Sequence, residues 1–307
     1  MLRRFFGFSI ILVATLSCAR DDTASAHPRK DSAGEGDGVP PRPSVVTPVS
    51  QPYKVVAVSA GGTITGTVDF DGTPPAPQVI RPGNDVDVCG NTVTANDVTM
   101  SGTKVVGAIV WLTDIRNGKG FPMERRFDLT NDNCLLDPFV QVISTASTLN
   151  VSNDDRALHT NRLINVATGQ AAAIAPFNDD GEVVPVDRLN EPMEVEVVCE
   201  QHPWTHAWIV VLDHPYYAQT SKTGAFSIDG IPAGKYRMRA WYPNLGFVDD
   251  SVTVNPGQQT TVALHIKPSG APAPPAVIGP AASSTPTAST TPATSSSTAS
   301  STDSVKK

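Results

Sequence analysis

The stretch from residue 193 to residue 212, MEVEVVCEQHPWTHAWIVVL, contains two strand patterns joined by a short loop. In its first part valines alternate with glutamates, which is typical of a strand with one buried and one exposed face. Its last four residues, 209–212, form a continuous apolar run, which is typical of a central strand buried on both faces. Cys199 and His202 lie between the two patterns, spaced so that a tight turn can bring sulfur and nitrogen to the same ion.

The same period-two alternation recurs through residues 64–70 and 226–266, and its runs end in turn residues such as Asp71-Gly72 and Asn255-Pro256-Gly257. Many short strands with this punctuation predict an antiparallel β-sandwich. A second apolar run, residues 108–112, predicts another central strand. No long helical period is present, and residues 171–175 indicate a weak helical turn at most. The expected fold class is therefore all-β.

The two ends of the chain have a composition that does not favour folding. Residues 283–302 are only Ser, Thr, Ala and Pro, and residues 20–51 are first charged and then Pro-rich. Such segments bury too little apolar surface to offset the entropy of ordering them. We expect a disordered linker over residues 19–52 and a disordered tail over residues 268–307. The net charge is −7 without a basic patch, so no nucleic-acid partner is expected.

The first 18 residues read as a signal peptide, with two arginines followed by an apolar run too short to span a bilayer. Its end, Ala14-Thr15-Leu16-Ser17-Cys18, resembles the bacterial lipobox. That resemblance implies acylation of Cys18 and a lipoprotein anchored in a lipid membrane, facing the periplasm or cell surface. Ala19 favours the outer membrane by the same resemblance. The alternative is an ordinary cleaved signal in which Cys18 has no role.

The chain contains four cysteines, Cys18, Cys89, Cys134 and Cys199. An exported protein matures in an oxidising compartment, and if Cys18 carries lipid, one of the other three is unpaired. Histidines lie close to Cys199 in sequence but not to Cys89 or Cys134. We therefore assign Cys89 and Cys134 to a disulfide and Cys199 to a metal-binding thiolate. The alternative for Cys199 is a buried thiol that packs as a small hydrophobe.

Two family resemblances can be placed on this pattern. The string Thr223-Gly-Ala-Phe-Ser-Ile, followed by Ile231-Pro-Ala-Gly-Lys-Tyr, resembles a carboxypeptidase regulatory-like, transthyretin-like sandwich, as do residues 66–74. This resemblance implies such a sandwich over residues 53–119 and 213–267.

The second resemblance lies between these two parts. Asn153, His159 and the Cys199-x-x-His202 spacing resemble the cupredoxins, the Greek-key β-barrels of blue copper proteins. The resemblance implies a cupredoxin-like module over residues 120–212, inserted at a loop of the first sandwich, as exposed loops tolerate insertion. The alternative is two consecutive domains that share the strand at residues 209–212.

A type 1 copper site has a thiolate and two imidazoles in one plane with a weak axial ligand. The cupredoxin resemblance implies His159, Cys199 and His202 as the ligands, with His202 near the surface as the point of electron exit. Asn153 is expected to tie the His159 loop to the Cys199 loop; its alternative is a plain turn residue. Copper is the expected metal, and zinc is a competitor because His and Cys ligands also suit it.

The main departure from the cupredoxin pattern is Thr205, which stands where many relatives have the axial Met. Three outcomes are open: copper without a strong axial ligand, His206 as a further ligand, or a turn that has lost its metal. The leading function is electron transfer or copper binding with a periplasmic or surface redox protein as partner, and the protein is not expected to be an enzyme. Alternatives are metal storage or sensing, and a structural or ligand-binding surface lipoprotein with a metal-free site.

Overall fold

The computed structural model describes residues 41–46, 51–95, 97–122, 126–145, 147–187 and 189–268 of the 307. The expected signal peptide with Cys18, most of the linker and the tail after residue 268 lie outside the described residues. Among the helices of the described ranges, none is long and apolar enough to cross a membrane.

The described chain is almost entirely β-strand, so the all-β prediction is confirmed. The strands are β1 (Lys54–Val55), β2 (Gly62–Phe70), β3 (Gln78–Ile80), β4 (Val93–Ala95), β5 (Met100–Ser101), β6 (Lys104–Val105), β7 (Ile109–Leu112), β8 (Asn117–Gly118), β9 (Arg126–Asp132), β10 (Leu135–Asp137), β11 (Val140–Ser144), β12 (Thr148–Asn153), β13 (His159–Asn165), β14 (Ala171–Phe177), β15 (Val183–Val186), β16 (Met193–Cys199), β17 (His206–Leu212), β18 (Tyr217–Gln219), β19 (Ala225–Ile231), β20 (Gly234–Tyr242), β21 (Gly246–Val254) and β22 (Gln259–Ile266). One short helix, α1 (Val86–Cys89), lies between β3 and β4.

The first sandwich is built from the two ends of the described chain. One sheet has the strand order β18-β7-β20-β21, and the other has the order β19-β2-β6-β5 with β22 paired to β2. The chain leaves this sandwich after β8 and returns to it at β18. Strands β9 to β17 therefore lie in sequence between the strands of the first sandwich.

The second sandwich contains the sheets β10-β9-β12-β15 and β11-β17-β16-β13-β14. Most neighbouring strands in the two sandwiches are antiparallel, while β2 with β22, β9 with β12 and β11 with β17 are parallel. Parallel neighbours need crossover connections rather than hairpins. The chain of the second sandwich therefore crosses between its two sheets and does not form a simple meander.

Strand β17 explains why the chain has an unbroken apolar run at this point. Successive side chains of a strand point to opposite faces. One face of β17 belongs to the core of the second sandwich, through Ala207, Ile209 and Val211. The other face belongs to the cluster centred on the first sandwich, through Trp208, Val210 and Leu212. Both faces are buried, so neither tolerates the polar alternation seen in β16.

Two segments differ from the sequence-based expectations. Residues 171–175, expected as a weak helical turn, form the start of β14, because pairing with β13 overrides the helical preference of the alanines. Residues 41–46, expected within the disordered linker, are ordered. There the backbone N–H of Val45 donates to Glu194 Oε2 at 2.8 Å, and the Arg42 side chain lies over the Trp208 ring.

A small element, here called the cap, comprises residues 78–95, that is β3, α1 and β4. Strands β3 and β4 pair with each other. The Cys89–Cys134 disulfide joins the cap to the turn between β9 and β10 in the second sandwich. Its apolar side chains form a separate small cluster with Cys134 and Trp204.

Candidate metal centre

Two neighbouring strands bring the predicted ligands to one end of the second sandwich. His159 begins β13 and Cys199 ends β16, and the register of these strands places Asn161 opposite Cys199. His202 follows in the loop before β17. The three side chains are buried, with exposures of 0% for His159, 3% for Cys199 and 0% for His202. Cys199 is the free cysteine of the described chain.

The three side chains point one donor atom each at a common centre. His159 Nδ1 lies 3.4 Å from Cys199 Sγ, His202 Nδ1 lies 3.7 Å from that sulfur, and the two Nδ1 atoms are 3.3 Å apart. Metal–nitrogen bonds of about 2.0 Å and a metal–sulfur bond of about 2.3 Å would separate trigonal ligand atoms by roughly 3.5 to 3.8 Å. The observed spacings therefore fit a single metal ion in the plane of the three atoms.

The outer nitrogen of His159 is held by a carboxylate of its own loop. Nε2 lies 3.0 Å from Asp155 Oδ2, and the same oxygen accepts the backbone N–H of Cys134 at 2.9 Å. An ionised carboxylate only accepts hydrogen bonds, so Nε2 carries the hydrogen. This fixes the tautomer in which Nδ1 offers its lone pair to the centre, as in other carboxylate–histidine–metal arrangements.

The outer nitrogen of His202 is held by the cap. Its Nε2 lies 3.2 Å from Asp85 Oδ2 and 3.7 Å from Cys89 Sγ. The expectation that His202 lies near the surface is wrong, because its ring is fully buried, with two residues of the cap against its outer nitrogen. Both imidazoles thus present Nδ1 to the centre and Nε2 to a carboxylate.

The electrostatics of the centre favour a thiolate. Burial alone would raise the pKa of Cys199, but hydrogen bonds with His159 and His202 outweigh it and lower that pKa to about 6. Burial opposes a charged His159, yet its bonds to Asp155 and Cys199 raise its pKa to about 9. Burial opposes a charged Asp155, but hydrogen bonds from His159 and the Cys134 backbone, together with the charge of His159, lower its pKa. These shifts favour a thiolate–imidazolium pair in the centre when no metal is bound.

The loop from Cys199 to Thr205 is a closed turn. The Cys199 backbone N–H donates to the carbonyl of Thr205 at 3.0 Å, and the Thr205 N–H donates to the carbonyl of His202 at 2.8 Å. The Thr205 hydroxyl and the Trp204 indole N–H both donate to the carbonyl oxygen of Cys134. The Thr205 hydroxyl is therefore engaged in a loop contact, and position 205, the expected axial position, carries no thioether.

Two predicted site residues have other contacts. His206 Nε2 lies 3.2 Å from Asp97 Oδ1, and its ring packs on Phe139, so it is not in the three-atom group. Asn153 was expected to reach the Cys199 loop. Its amide instead donates to the carbonyls of Asp155, Ala157 and Asp179, which corrects that expectation. Asn153 shapes the turn that carries Asp155.

Sequence reasoning missed both carboxylates of the centre. Asp155 belongs to an adjacent acidic pair, Asp154-Asp155, of the kind usually found in solvated loops, yet it is 5% exposed. Its spacing of four residues before His159 was the available signal. Asp85 lies 117 positions from His202, in the cap, and nothing in the sequence connects the two.

The family model described as Polysaccharide lyase family 4, domain II matches residues 200–262. This interval runs from the loop after Cys199 through β17 and into β22. No curated protein matches the chain.

Several solved structures are similar to part of the chain. A novel purple cupredoxin from Nitrosopumilus maritimus is 20% identical, with 29% of this chain and 99% of that chain covered and a TM-score of 0.25. Auracyanin from Roseiflexus castenholzii is 11% identical, with 29% and 98% covered and a TM-score of 0.24. The copper-containing nitrite reductase from Thermus scotoductus SA-01 is 18% identical, with 37% and 25% covered and a TM-score of 0.24.

Proposed function

We propose that this protein binds copper in a type 1-like site made by His159, Cys199 and His202, and acts in electron transfer or copper binding. One observation carries the proposal. Three buried donor atoms, one sulfur and two Nδ1 atoms, lie at mutual distances of 3.3 to 3.7 Å. A soft thiolate with two imidazoles in a plane is the donor set of blue copper centres.

When bound, copper would supply one-electron exchange between its two common oxidation states. The chain's own residues would keep the ligand set in place. Asp155 and Asp85 hold the outer nitrogens of the two imidazoles, which restricts ring rotation. The three ligand side chains are buried, which excludes water from the site. Because Thr205 supplies no thioether, the site would lack a strong axial ligand, and we expect a raised reduction potential.

The proposed setting is outside the cytoplasm. The lipobox-like end of residues 1–18 supports acylation of Cys18 and attachment to a membrane, with the outer membrane favoured. The proposed partner is a periplasmic or surface redox protein, and the protein would carry electrons rather than catalyse a reaction. Zinc is the competing metal, because the same donors suit it.

The test is a visible absorption spectrum of the full chain, titrated with Cu(II) and re-oxidised before reading. An intense thiolate-to-copper band that saturates at one equivalent supports the proposal. Cys199→Ser and His159→Ala are the ligand controls, and His265→Ala is a matched control because His265 is exposed and pairs with Asp71. A parallel titration with Zn(II), followed by copper displacement, ranks the two metals.

A second candidate is a structural or ligand-binding surface protein whose site holds no metal. The observation that favours it is that Cys199 Sγ lies 3.4 Å from His159 Nδ1, and His159 Nε2 lies 3.0 Å from Asp155, so both side chains have partners without an ion. In that case neither copper nor zinc binds tightly, and Cys199→Ser leaves the protein's function unchanged.

A further inference from the structure

The cap lies against His202, with Asp85 and Cys89 next to its Nε2. Strands β3 and β4 form a two-stranded sheet with no other described strand. An isolated pair of short strands is marginally stable in water. The cap therefore depends on its small apolar cluster and on the Cys89–Cys134 disulfide to remain closed over His202.

Two residues of the cap reach the same atom of His202. Asp85 and Cys89 are four residues apart, and the backbone N–H of Cys89 donates to the carbonyl of Asp85 at 2.7 Å. Residues spaced by four along a helical turn lie on one face. The Asp85 carboxylate and the Cys89 sulfur consequently approach His202 Nε2 together, at 3.2 Å and 3.7 Å.

The other half of the disulfide is where the loops of the centre meet. The Cys134 N–H donates to Asp155, which holds His159. The Cys134 carbonyl accepts from Trp204 and Thr205, which belong to the loop that carries His202. One covalent bond thus fixes the cap to the residue that already connects both ligand loops.

We propose that Asp85 is a positioning residue for His202. The Cys89–Cys134 disulfide is the latch that holds the cap, and with it Asp85, against His202. Opening the latch uncovers His202 and Cys199. Reduction by an external dithiol breaks the S–S bond, adds two electrons and two protons to give two thiols, and leaves the dithiol as a disulfide. That His202 is a metal ligand rests on the proposed function, whereas the covering of Cys199 and His202 by a latched cap does not.

The first experiment measures access to Cys199 in the metal-free full chain. Iodoacetamide is added, and the alkylation of Cys199 is followed by peptide mass mapping. The double variant Cys89→Ala/Cys134→Ala is expected to react about tenfold faster than the parent, because local opening sets the exposure of a buried group. Asp85→Ala is expected to react faster with the disulfide intact. Asp87→Ala is the matched control, since Asp87 is exposed on the same short helix, and it should equal the parent.

A comparison within one polypeptide covers the case in which the double variant does not fold. The parent is treated with a dithiol, which is then removed, and its alkylation is compared with that of the untreated parent. Faster alkylation of Cys199 after reduction supports the latch. Equal rates for parent, reduced parent, Asp85→Ala and Asp87→Ala would overturn it.

The second readout concerns positioning. Nitrogen-15 NMR of the metal-free chain should find the hydrogen of neutral His202 on Nε2 in the parent and in Asp87→Ala, and a mixture of tautomers in Asp85→Ala. An unchanged tautomer in Asp85→Ala would contradict the role of Asp85. If the copper band appears but the cap variants and the reduced parent alkylate Cys199 at the parent rate, this inference alone is contradicted. A cap effect without any copper band leaves this inference standing and sinks the proposed function.

Discussion

The two histidines of the centre present the same atom to it but are held in different ways. His159 receives its carboxylate from Asp155, four residues earlier in the same loop, and that carboxylate is buried. His202 receives its carboxylate from Asp85, which belongs to the cap and is 38% exposed at its side chain. One half of the site is therefore a local unit of the second sandwich, and the other half is completed by a long-range contact.

This difference has an energetic meaning. A buried ion pair leaves an uncompensated charge when one partner is removed, whereas an exposed carboxylate is solvated by water. The His159 half should be rigid and costly to disturb. The His202 half should respond to the state of the cap while the rest of the sandwich remains folded.

The largest difference between the two halves is expected when each imidazole is removed in its own variant. Both His159→Ala and His202→Ala should abolish the copper band. In the metal-free chain, His159→Ala should lower the free energy of unfolding by about 3 kcal/mol, because the buried Asp155 carboxylate loses its ion-pair partner. His202→Ala should cost clearly less, since Asp85 has access to solvent. Denaturant unfolding of both variants measures the difference, and equal losses would contradict the comparison.

Removal of the two carboxylates should give a smaller contrast of the same sign. Loss of the group behind a metal-binding His lowers metal affinity by about 10- to 100-fold. For Asp155→Ala we expect a loss of copper affinity near the upper end of this range, because the substitution frees the His159 ring and leaves the Cys134 N–H without its acceptor. Asp85→Ala should fall near the lower end. Competition with a copper chelator measures both, and a larger loss for Asp85→Ala would reverse the assignment of the rigid half.

Much of the fold was predictable because it depends on local patterns. The unbroken apolar run in β17 indicated a strand buried on two faces, and the two core clusters meet there. The spacing of Cys199 and His202 was likewise a local signal. The structure brings both to His159 and joins Cys89 to Cys134.

The parts that were missed depend on contacts far apart in sequence. Asp85 reaches His202 only because the cap packs against the second sandwich, to which the Cys89–Cys134 disulfide joins it. Residues 41–46 are ordered only because Glu194 and Trp208 offer them a partner and an apolar surface. The role expected of Asn153 was wrong for a related reason, since an amide bonds whichever carbonyls its own turn brings close, here those of Asp155 and Asp179.

The pH dependence of the metal-free centre tests the rigid half directly. The pKa of Cys199 is lowered from 9.0 to about 6, so its contribution to stability is present above pH 9 and lost as pH falls through about 6. The pKa of His159 is raised from 6.5 to about 9, so its contribution is present below pH 6.5 and lost as pH rises through about 9. The ion pair between the Cys199 thiolate and the His159 imidazolium is therefore expected between about pH 6 and about pH 9.

The ultraviolet absorbance of the thiolate should accordingly appear as pH rises through about 6 in the parent. His159→Ala removes the first hydrogen-bond partner of the thiolate and should move this transition upward, towards the ordinary thiol value. Asp85→Ala, which leaves His159 and Asp155 intact, should move it much less. A shift in Asp85→Ala as large as that in His159→Ala would mean that the thiolate depends equally on both halves.

The smallest expected effect lies at Thr205, which joins the two halves through Cys134. Thr205→Val keeps the shape of the side chain but removes the hydroxyl that donates to the Cys134 carbonyl. That carbonyl retains the Trp204 indole N–H at 3.2 Å, so it is not left unpaired. The loss in free energy of unfolding should be about 1 kcal/mol, the net value of one hydrogen bond. Because Thr205 supplies no metal-binding atom in this arrangement, the copper stoichiometry of Thr205→Val should equal that of the parent. A loss of copper binding in this variant would make the hydroxyl a ligand rather than a loop contact, and the two halves would then meet at the metal itself.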